Sequence, residues 1–340
     1  MSFSDPVLSD WRDQALRLEQ AINQTVVGQQ QAIRLLLIAV FARGHALLEG
    51  DVGVGKTTLL RTLARGLGGA YSRAEGTIDL MPNDLIYHTF IDSDGQPRIE
   101  PGPLLQHAEN LSIFFFNEVN RARPQVHSLL LRVMAERSAS AFNREYRFPH
   151  LLVFADRNRV EREETFELPS AARDRFLMEI LITLPDDPAI EEELMFSPRF
   201  HDVDSLIEQT PEAILAYNEI NDIGRQIQTD IQTSDALRHY ALDLCRATRR
   251  PAAFGVQLPE VDLTQLIQAG TSPRGMSYLM RAARVSAWLE GRTAVLPEDI
   301  HTVFFPTIAH RVFFNPVYEL RRAELAGELL GQILQQVAAP

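Results

Sequence analysis

The chain has 340 residues, of which 45% are hydrophobic and 23% are charged, a composition typical of soluble globular proteins and not of disordered segments. The formal net charge of -12 weighs against a nucleic-acid-binding function, because such proteins carry basic stripes. A single cysteine excludes an intramolecular disulfide and a cysteine-based metal cluster. The N-terminus lacks the features of a secretory signal, and the longest apolar run, residues 35–42, is too short to span a membrane. We therefore expect a cytoplasmic protein without direct membrane insertion.

Apolar periodicity in the first half of the chain predicts alternating helices and strands. Helices are predicted over residues 10–21 and 30–42. Short strands are predicted over residues 46–49, 71–73, 113–116, 151–155 and 177–182. Because most of these strands are unbroken apolar runs, they indicate a parallel sheet covered by helices on both faces. Between the second and third strands, residues 79–103 carry several turn signals and are predicted to form an inserted hairpin or loop.

An acidic segment flanked by prolines, residues 185–188, ends this alternation. Beyond it, residues 189–336 show helical periodicity without a convincing strand. The sequence therefore predicts an α/β fold in two domains. An αβα domain with a parallel sheet is expected over residues 1–187, and a smaller all-helical domain would follow over residues 188–340.

The strongest motif follows the first predicted strand, where GDVGVGKTT fits the Gly-x-x-x-x-Gly-Lys-Thr pattern of a phosphate-binding loop. Its glycines let backbone N–H groups face phosphate oxygens, and the next helix favours an anion at its N-terminus. Lys56 would reach the β- and γ-phosphates, and the Thr57 hydroxyl would bind Mg²⁺. The alternative is a chance match in an ordinary glycine turn. The motif predicts that ATP or GTP binds to Gly50, Asp51, Val52, Gly53, Val54, Gly55, Lys56, Thr57 and Thr58.

A second signal is the apolar strand that ends in Asn117 and Glu118. Two acidic residues are usual at these positions, the first to hold Mg²⁺ and the second to polarise the attacking water. Glu118 is therefore the candidate general base, and Thr57, Asn117 and Glu118 are the candidate metal-binding residues. Since Asn117 lacks the negative charge of an aspartate, we expect weaker or altered Mg²⁺ binding and retained ATP binding.

Three further residues are candidates for contact with the nucleotide, each with a simpler alternative. Asn158 follows the fourth strand and could orient the attacking water, or it could be a turn residue. Arg175 precedes the last strand and could act on a neighbouring subunit's nucleotide as an arginine finger, or it could pair locally with Asp174. Arg274 follows Ser272 and a proline that suit a helix start, and it could face the nucleotide or be an ordinary surface residue.

Several motifs, in a shared order along nearly the whole chain, resemble those of the MoxR family of AAA+ ATPases. The matching segments are residues 27–29, 44–50, 118–122, 168–176, 272–275 and 297–300. The resemblance implies that Lys56 and Thr57 bind phosphate and Mg²⁺, and that Glu118 is the catalytic base. It also implies that Asn158 is sensor 1, Arg175 is the arginine finger and Arg274 is sensor 2.

The same resemblance assigns two inserts and a mode of action. Residues 79–103 correspond to the helix-2 insert and residues 138–150 to the pre-sensor-1 hairpin, and both would face the substrate or the pore of a ring. The family implies a chaperone-like, homo-oligomeric ring, with a hexamer expected, that hydrolyses ATP at subunit interfaces and remodels a client enzyme complex. Metalloenzymes such as methanol dehydrogenase are implied clients, and a protein with a von Willebrand factor A domain is the implied partner.

The sequence departs from the family pattern next to sensor 1. Residues 155–159 read Ala-Asp-Arg-Asn-Arg where the family usually has a Thr-Gln-Asn-Pro sequence. Residues 163–165 lack the family's glycine, and Ser170 replaces a common glutamate. Together with Asn117, these departures support an alternative function. In it, the protein is a nucleotide-gated assembly or regulatory module that binds ATP but hydrolyses it slowly.

Overall fold

The computed structural model describes residues 6–158, 166–259 and 261–340. Arg159 and residues 163–165, where the sequence departs from the family pattern, lie outside the described residues. The chain divides into two compact units. The sheet unit comprises the described residues of 13–175 together with residues 180–221. The helical unit comprises the described residues up to 12, residues 176–179, and the described residues from 222 to 340.

A parallel sheet forms the centre of the fold, and two hairpins extend from its connections. The strands are β1 (His45–Gly50), β2 (Ala70–Glu75), β3 (Tyr87–Ile91), β4 (Pro97–Pro101), β5 (Leu111–Asn117), β6 (Ser138–Ala141), β7 (Arg144–Arg147), β8 (Leu152–Arg157) and β9 (Phe176–Ile182). The five-stranded sheet has the order β2-β5-β8-β1-β9, and the pairs β2–β5, β5–β8 and β1–β8 are parallel. This arrangement confirms the predicted α/β class with a parallel sheet.

The helices that precede β9 follow the predicted alternation, and further helices of the sheet unit come after it. They are α1 (Pro6–Thr25), α2 (Gln30–Phe41), α3 (Lys56–Leu67), α4 (Pro124–Glu136), α5 (Ser170–Arg173), α6 (Pro188–Phe196) and α7 (Val203–Glu208). Helix α1 is longer than the predicted 10–21, because Leu8 and Ile22 extend its buried face at both ends. The predicted insert contains the antiparallel pair β3–β4, and β6–β7 forms a second hairpin within residues 138–150.

The helical unit contains α8 (Ile220–Asp230), α9 (Asp235–Ala247), α10 (Leu263–Leu266), α11 (Pro273–Leu289), α12 (Pro297–Ile308) and α13 (Arg322–Gln336). It is not entirely helical as predicted, because β10 (Ile267–Ala269) pairs antiparallel with β11 (Phe313–Phe314). Strands of two and three residues are too short to show an alternating pattern in the sequence. The first residues of β9 cluster with this unit, where the buried Arg311 donates to the backbone carbonyls of Phe176 and Leu177.

The domain boundary predicted after residue 187 stays a prediction, and the contact pattern changes at a later residue. Residues 188–221 cluster with the sheet unit. The chain returns there to the end of α3, where the N–H groups of Ala213 and Leu215 donate to the carbonyls of Arg65 and Gly66 at 2.9 and 3.0 Å. Throughout the described ranges, every helix is too short or too polar to cross a membrane.

Candidate nucleotide-binding site

The phosphate-binding loop joins β1 to α3, as its motif predicts. Gly55, the residue before α3, has a φ of +86°, a left-handed conformation that glycine adopts readily. Gly50 is constrained by space instead, since a Cβ there would lie 2.3 Å from the carbonyl oxygen of Ile182. These two glycines let the loop turn closely at the edge of the sheet. The loop therefore ends at the N-terminus of α3, where backbone N–H groups favour an anion.

Lys56 lies at the first position of α3, and its side chain is buried with only 8% exposure. Its Nζ donates to the carbonyl oxygen of Gly50 at 2.8 Å and to Oδ1 of Asn158 at 2.7 Å. A carboxylate oxygen, Oδ2 of Asp156, lies 3.2 Å from the same nitrogen. The ammonium is thus held by three oxygens, one from the end of β1 and two from the end of β8. Phosphate oxygens at the loop would compete with them for it.

Asp156 lies at the end of β8 and is 1% exposed. Its Oδ1 accepts the backbone N–H of Glu118 at 2.5 Å, while Oδ2 faces Lys56. Burial raises the pKa of the Asp156 carboxyl, and the Glu118 N–H and the Lys56 ammonium oppose that rise. Asp156 therefore connects the phosphate-binding lysine to the backbone of the candidate base.

Glu118 has an unusual backbone conformation for a residue with a side chain, with φ of 51° and ψ of 49°. Such a conformation costs about 1–3 kcal/mol and persists where the surroundings determine it. Its carboxylate accepts from Nδ2 of Asn158 at 3.2 Å and from Nη1 of Arg121 at 2.9 Å. The backbone of Gly76 packs closely against the Glu118 carbonyl oxygen, since a Cβ on Gly76 would lie 2.1 Å from it. Backbone and side chain are thus both positioned.

Asn117 ends β5 and pairs in register with Glu75 at the end of β2. Its Nδ2 donates to Oε1 of Glu75 at 2.5 Å. Arg73 donates to the other oxygen of Glu75 at 2.7 Å. The amide group of Asn117 is therefore used in a contact with a carboxylate that an aspartate at 117 could not make.

Most of the residues predicted for binding and catalysis meet around one cavity of about 320 Å³ in the sheet unit. Its lining residues are Val52, Gly53, Val54, Gly55, Lys56, Thr57, Thr58, Asn117, Glu118, Asp156 and Asn158. Gly50 contacts this set through Lys56, and Asp51 is exposed beside it. In the sequence, Asp156 is distinguished only as a departure from a family pattern. Its place follows from the parallel register, in which Phe116 pairs with Ala155, so residues 117 and 156 come next on adjacent strands. No local pattern in the sequence shows that register.

Two predicted residues lie outside the lining of this cavity. Arg175 follows α5, and its Nη1 donates to the carbonyl oxygen of Ala171 at 2.8 Å. Arg274 lies in the first turn of α11, in the helical unit. The Ser272 side chain caps that helix by accepting the N–H of Gly275 at 3.1 Å, as its sequence predicts. The roles of Arg175 and Arg274 as finger and sensor stay predictions.

The donor atoms of the cavity suit a hydrated magnesium nucleotide. Hydroxyl, amide and carboxylate oxygens come from Thr57, Asn117, Glu118 and Asp156, and such oxygens are the ligands that Mg²⁺ prefers. Among the described residues, no three His, Cys, Asp or Glu side chains cluster into an all-protein metal site. Mg²⁺ is usually held by one or two carboxylates together with substrate phosphates, so the residues present fit that mode of binding.

Comparison with known proteins also indicates an ATPase. Residues 45–178 match the family described as ATPase family associated with various cellular activities (AAA), and residues 262–333 match the AAA lid domain. Protein MoxR of Methylorubrum extorquens is 60% identical over 99% of this chain and 98% of its own length. Chaperone MoxR1 of Mycobacterium tuberculosis is 33% identical over 95% and 82%. A solved structure of a proposed ATPase from Cytophaga hutchinsonii has a TM-score of 0.82, with 30% identity and coverage of 98% and 97%.

A parallel sheet with a phosphate-binding loop, followed by a helical lid, defines an AAA+ ATPase. Within that class the chain belongs to the MoxR family, since the relatives of this name match it over almost its full length. The resemblance found in the sequence is thereby confirmed.

Proposed function

We propose that the site hydrolyses ATP with Mg²⁺. The observation that carries this proposal is the geometry of Asn158, whose Oδ1 accepts from Lys56 and whose Nδ2 donates to Glu118. One amide thus contacts both the lysine that would bind phosphate and the carboxylate that would accept a proton. This pair of contacts supports the predicted role of Asn158 as a sensor of the γ-phosphate.

Each residue of the cavity would have a separate task in hydrolysis. The loop N–H groups and Lys56 would bind the phosphates, and Glu118 would orient the attacking water and accept its proton. Thr57, Asn117 and Glu118 are the predicted residues for Mg²⁺, whose chemistry when bound is to neutralise phosphate charge. Arg175 of a neighbouring subunit and Arg274 would add positive charge at the phosphates.

We also infer that the protein acts on a client protein from a homo-oligomeric ring, with a hexamer expected, in the cytoplasm. Two hairpins of the sheet unit support a client contact. Phe90, Ile91 and Ile99 on β3–β4 are 42%, 75% and 55% exposed, and Phe142 between β6 and β7 is 50% exposed. The rings of Tyr87 and Phe142 are 4.7 Å apart, so the hairpins present their apolar side chains together.

The partners of this activity follow from the family alone. A protein with a von Willebrand factor A domain would present the client, and a metalloenzyme such as methanol dehydrogenase would be matured. The name of the mycobacterial relative, Chaperone MoxR1, supports a chaperone-like function. The negative net charge supports a protein client over nucleic acid.

A second function is favoured by Asn117, whose amide contacts Glu75 and which provides no negative charge for Mg²⁺. In that function the protein is a nucleotide-gated assembly module that binds ATP and hydrolyses it slowly. It differs from the first in turnover and not in binding.

Steady-state ATP hydrolysis by the wild type and by Glu118→Gln tests the proposal. Loss of the general base is expected to lower the turnover number by about 10²–10⁴-fold, with nucleotide affinity retained. Equal turnover in both proteins would contradict the assigned base. Wild-type binding without measurable turnover would instead favour the assembly module.

The ring mechanism has its own test in Arg175→Ala. Because the finger would act on a neighbouring subunit's nucleotide, the variant is expected to bind ATP normally and to lose turnover. Retained turnover in the assembled protein would count against hydrolysis at subunit interfaces. Light scattering of both proteins with ATP checks that assembly is unchanged.

A further inference from the structure

The strand end that carries the candidate base has no aspartate, yet the site contains a buried carboxylate on the next strand. In the order β5-β8-β1, strand β8 lies between the strand that precedes the phosphate loop and the strand that leads to Glu118. Asp156 pairs with Leu48 of β1, and its neighbour Ala155 pairs with Phe116 of β5. A side chain at 156 is therefore adjacent to both halves of the site.

The contacts of Asp156 use this central position. One carboxylate oxygen lies 3.2 Å from Nζ of Lys56, and the other accepts the N–H of Glu118 at 2.5 Å. Both groups need such a partner, because the Lys56 ammonium is buried and Glu118 has a left-handed backbone. Breaking either contact would release a residue on which nucleotide hydrolysis depends.

We propose that Asp156 has taken over the function of the missing aspartate at position 117. It positions Lys56 and Glu118, and it supplies the negative charge that a magnesium nucleotide requires from the protein. This inference rests on the proposed ATPase function and deepens it, since it names a residue on which Mg²⁺ dependence relies. The carboxylate has then moved from position 117 to position 156, and Asn117 does not by itself indicate weaker Mg²⁺ binding.

The surroundings of residue 117 explain why an aspartate stands at position 156 and not also at position 117. Glu75 lies beside it, with Oε1 2.5 Å from Nδ2 of Asn117. An aspartate at 117 would place one additional carboxylate against Glu75 and next to Asp156 on the adjacent strand. Like charges at such distances repel one another strongly in a partly buried site. An aspartate at 117 would meet the Glu75 carboxylate in either case, and Asp156 would add a second repulsion that a neutral residue at 156 would not.

An exchange of the two residues tests this inference. Mg²⁺ is titrated against binding of a fluorescent ATP analogue in the wild type, Asp156→Asn, and the double variant Asn117→Asp/Asp156→Asn. Loss of one charge beside a divalent ion is expected to raise the Mg²⁺ midpoint of Asp156→Asn by about tenfold. The double variant is expected to return to within about threefold of the wild type, because the charge is restored on the neighbouring strand.

The matched control is Asp299→Asn in the helical unit. Asp299 is also 1% exposed and also accepts a backbone N–H, that of Leu296, while pairing with Arg292. Its variant loses contacts of the same type and is expected to keep the wild-type Mg²⁺ midpoint. If Asp156→Asn fails to fold, Asp156→Thr replaces it as the single variant, and Asn117→Asp/Asp156→Thr replaces it in the double variant. Threonine has a smaller, uncharged hydroxyl side chain.

Three results would overturn the inference. One is a wild-type Mg²⁺ midpoint in Asp156→Asn, and another is a double variant no better than Asp156→Asn. The third is an equal shift in Asp299→Asn, which would trace the effect to general loss of stability. Because binding requires no turnover, the titration decides the role of Asp156 even if the wild type hydrolyses no ATP. The proposed ATPase activity is then judged separately, by turnover.

Discussion

Two buried aspartates, one in each unit, have nearly the same local chemistry and different surroundings. Asp156 and Asp299 are each 1% exposed, and burial raises the pKa of both carboxyls. Each accepts one backbone N–H and faces one cation, Lys56 for Asp156 and Arg292 for Asp299. Asp299 closes the first turn of α12, whereas Asp156 lines a cavity at a phosphate-binding loop. Burial and ion pairing alone therefore do not identify a functional carboxylate. What distinguishes Asp156 is that its cation is the phosphate-loop lysine and that it lines the cavity.

The largest effect is expected when the cation of the site is removed. Lys56→Met leaves the Asp156 carboxylate buried without its ion pair, which costs about 3–5 kcal/mol of unfolding free energy. The same change removes the main phosphate contact, so nucleotide binding is expected to be lost as well. Urea unfolding and calorimetric titration with ATP measure the two effects. A stable variant that still binds ATP would contradict the assigned role of Lys56 in phosphate binding.

Replacing Arg292 gives the corresponding experiment in the helical unit. Its side chain is 29% exposed, so water can partly solvate Asp299 when the cation is lost. Arg292→Met is expected to lower the unfolding free energy by about 1–3 kcal/mol, less than Lys56→Met, because the remaining carboxylate loses a charged hydrogen bond. ATP affinity and the Mg²⁺ midpoint should stay at the wild-type values. A shift in either would show that the two regions are not separable.

A smaller effect is expected from a methyl group placed against the backbone of the candidate base. Gly76→Ala brings a Cβ to 2.1 Å from the Glu118 carbonyl oxygen, so the strand end must move. We expect a loss of about 1–2 kcal/mol of stability, as for other overpacked positions, and a turnover reduced by about tenfold.

The matched glycine is Gly327 in α13, where a Cβ would meet no atom within 4 Å. Gly327→Ala is expected to stabilise the protein by about 0.5–1 kcal/mol, because alanine is the better helix residue. Thermal unfolding and ATP turnover of both variants measure the contrast. If Gly76→Ala behaved like Gly327→Ala, the backbone of Glu118 would not be fixed in the way described.

The sequence predicted those parts of the molecule whose signal is local. The phosphate loop, the apolar strand before Glu118 and the insert of residues 79–103 each depend on residues close together in the chain, and the structure contains all of these elements. The hairpin within residues 138–150 is implied by the family resemblance. The cap of α11 by Ser272 is another local signal of this kind.

What the sequence missed depends on which strands are neighbours. Asp156 is distant from Lys56 and Glu118 in sequence, and only the order β5-β8-β1 brings it to both. The pair β10–β11 likewise joins segments that are far apart and too short to show a pattern. The return of residues 213–215 to the end of α3 is a long-range contact too, and no local pattern in the sequence indicates it.

The central claim is that Asp156 supplies the charge for the metal that residue 117 does not. Its most direct test is electron paramagnetic resonance of free Mn²⁺, titrated into protein saturated with a non-hydrolysable ATP analogue. The Mn²⁺ dissociation constant is expected to rise by about tenfold in Asp156→Asn and to stay unchanged in Asp299→Asn. The same dissociation constant in the wild type and both variants would contradict the claim.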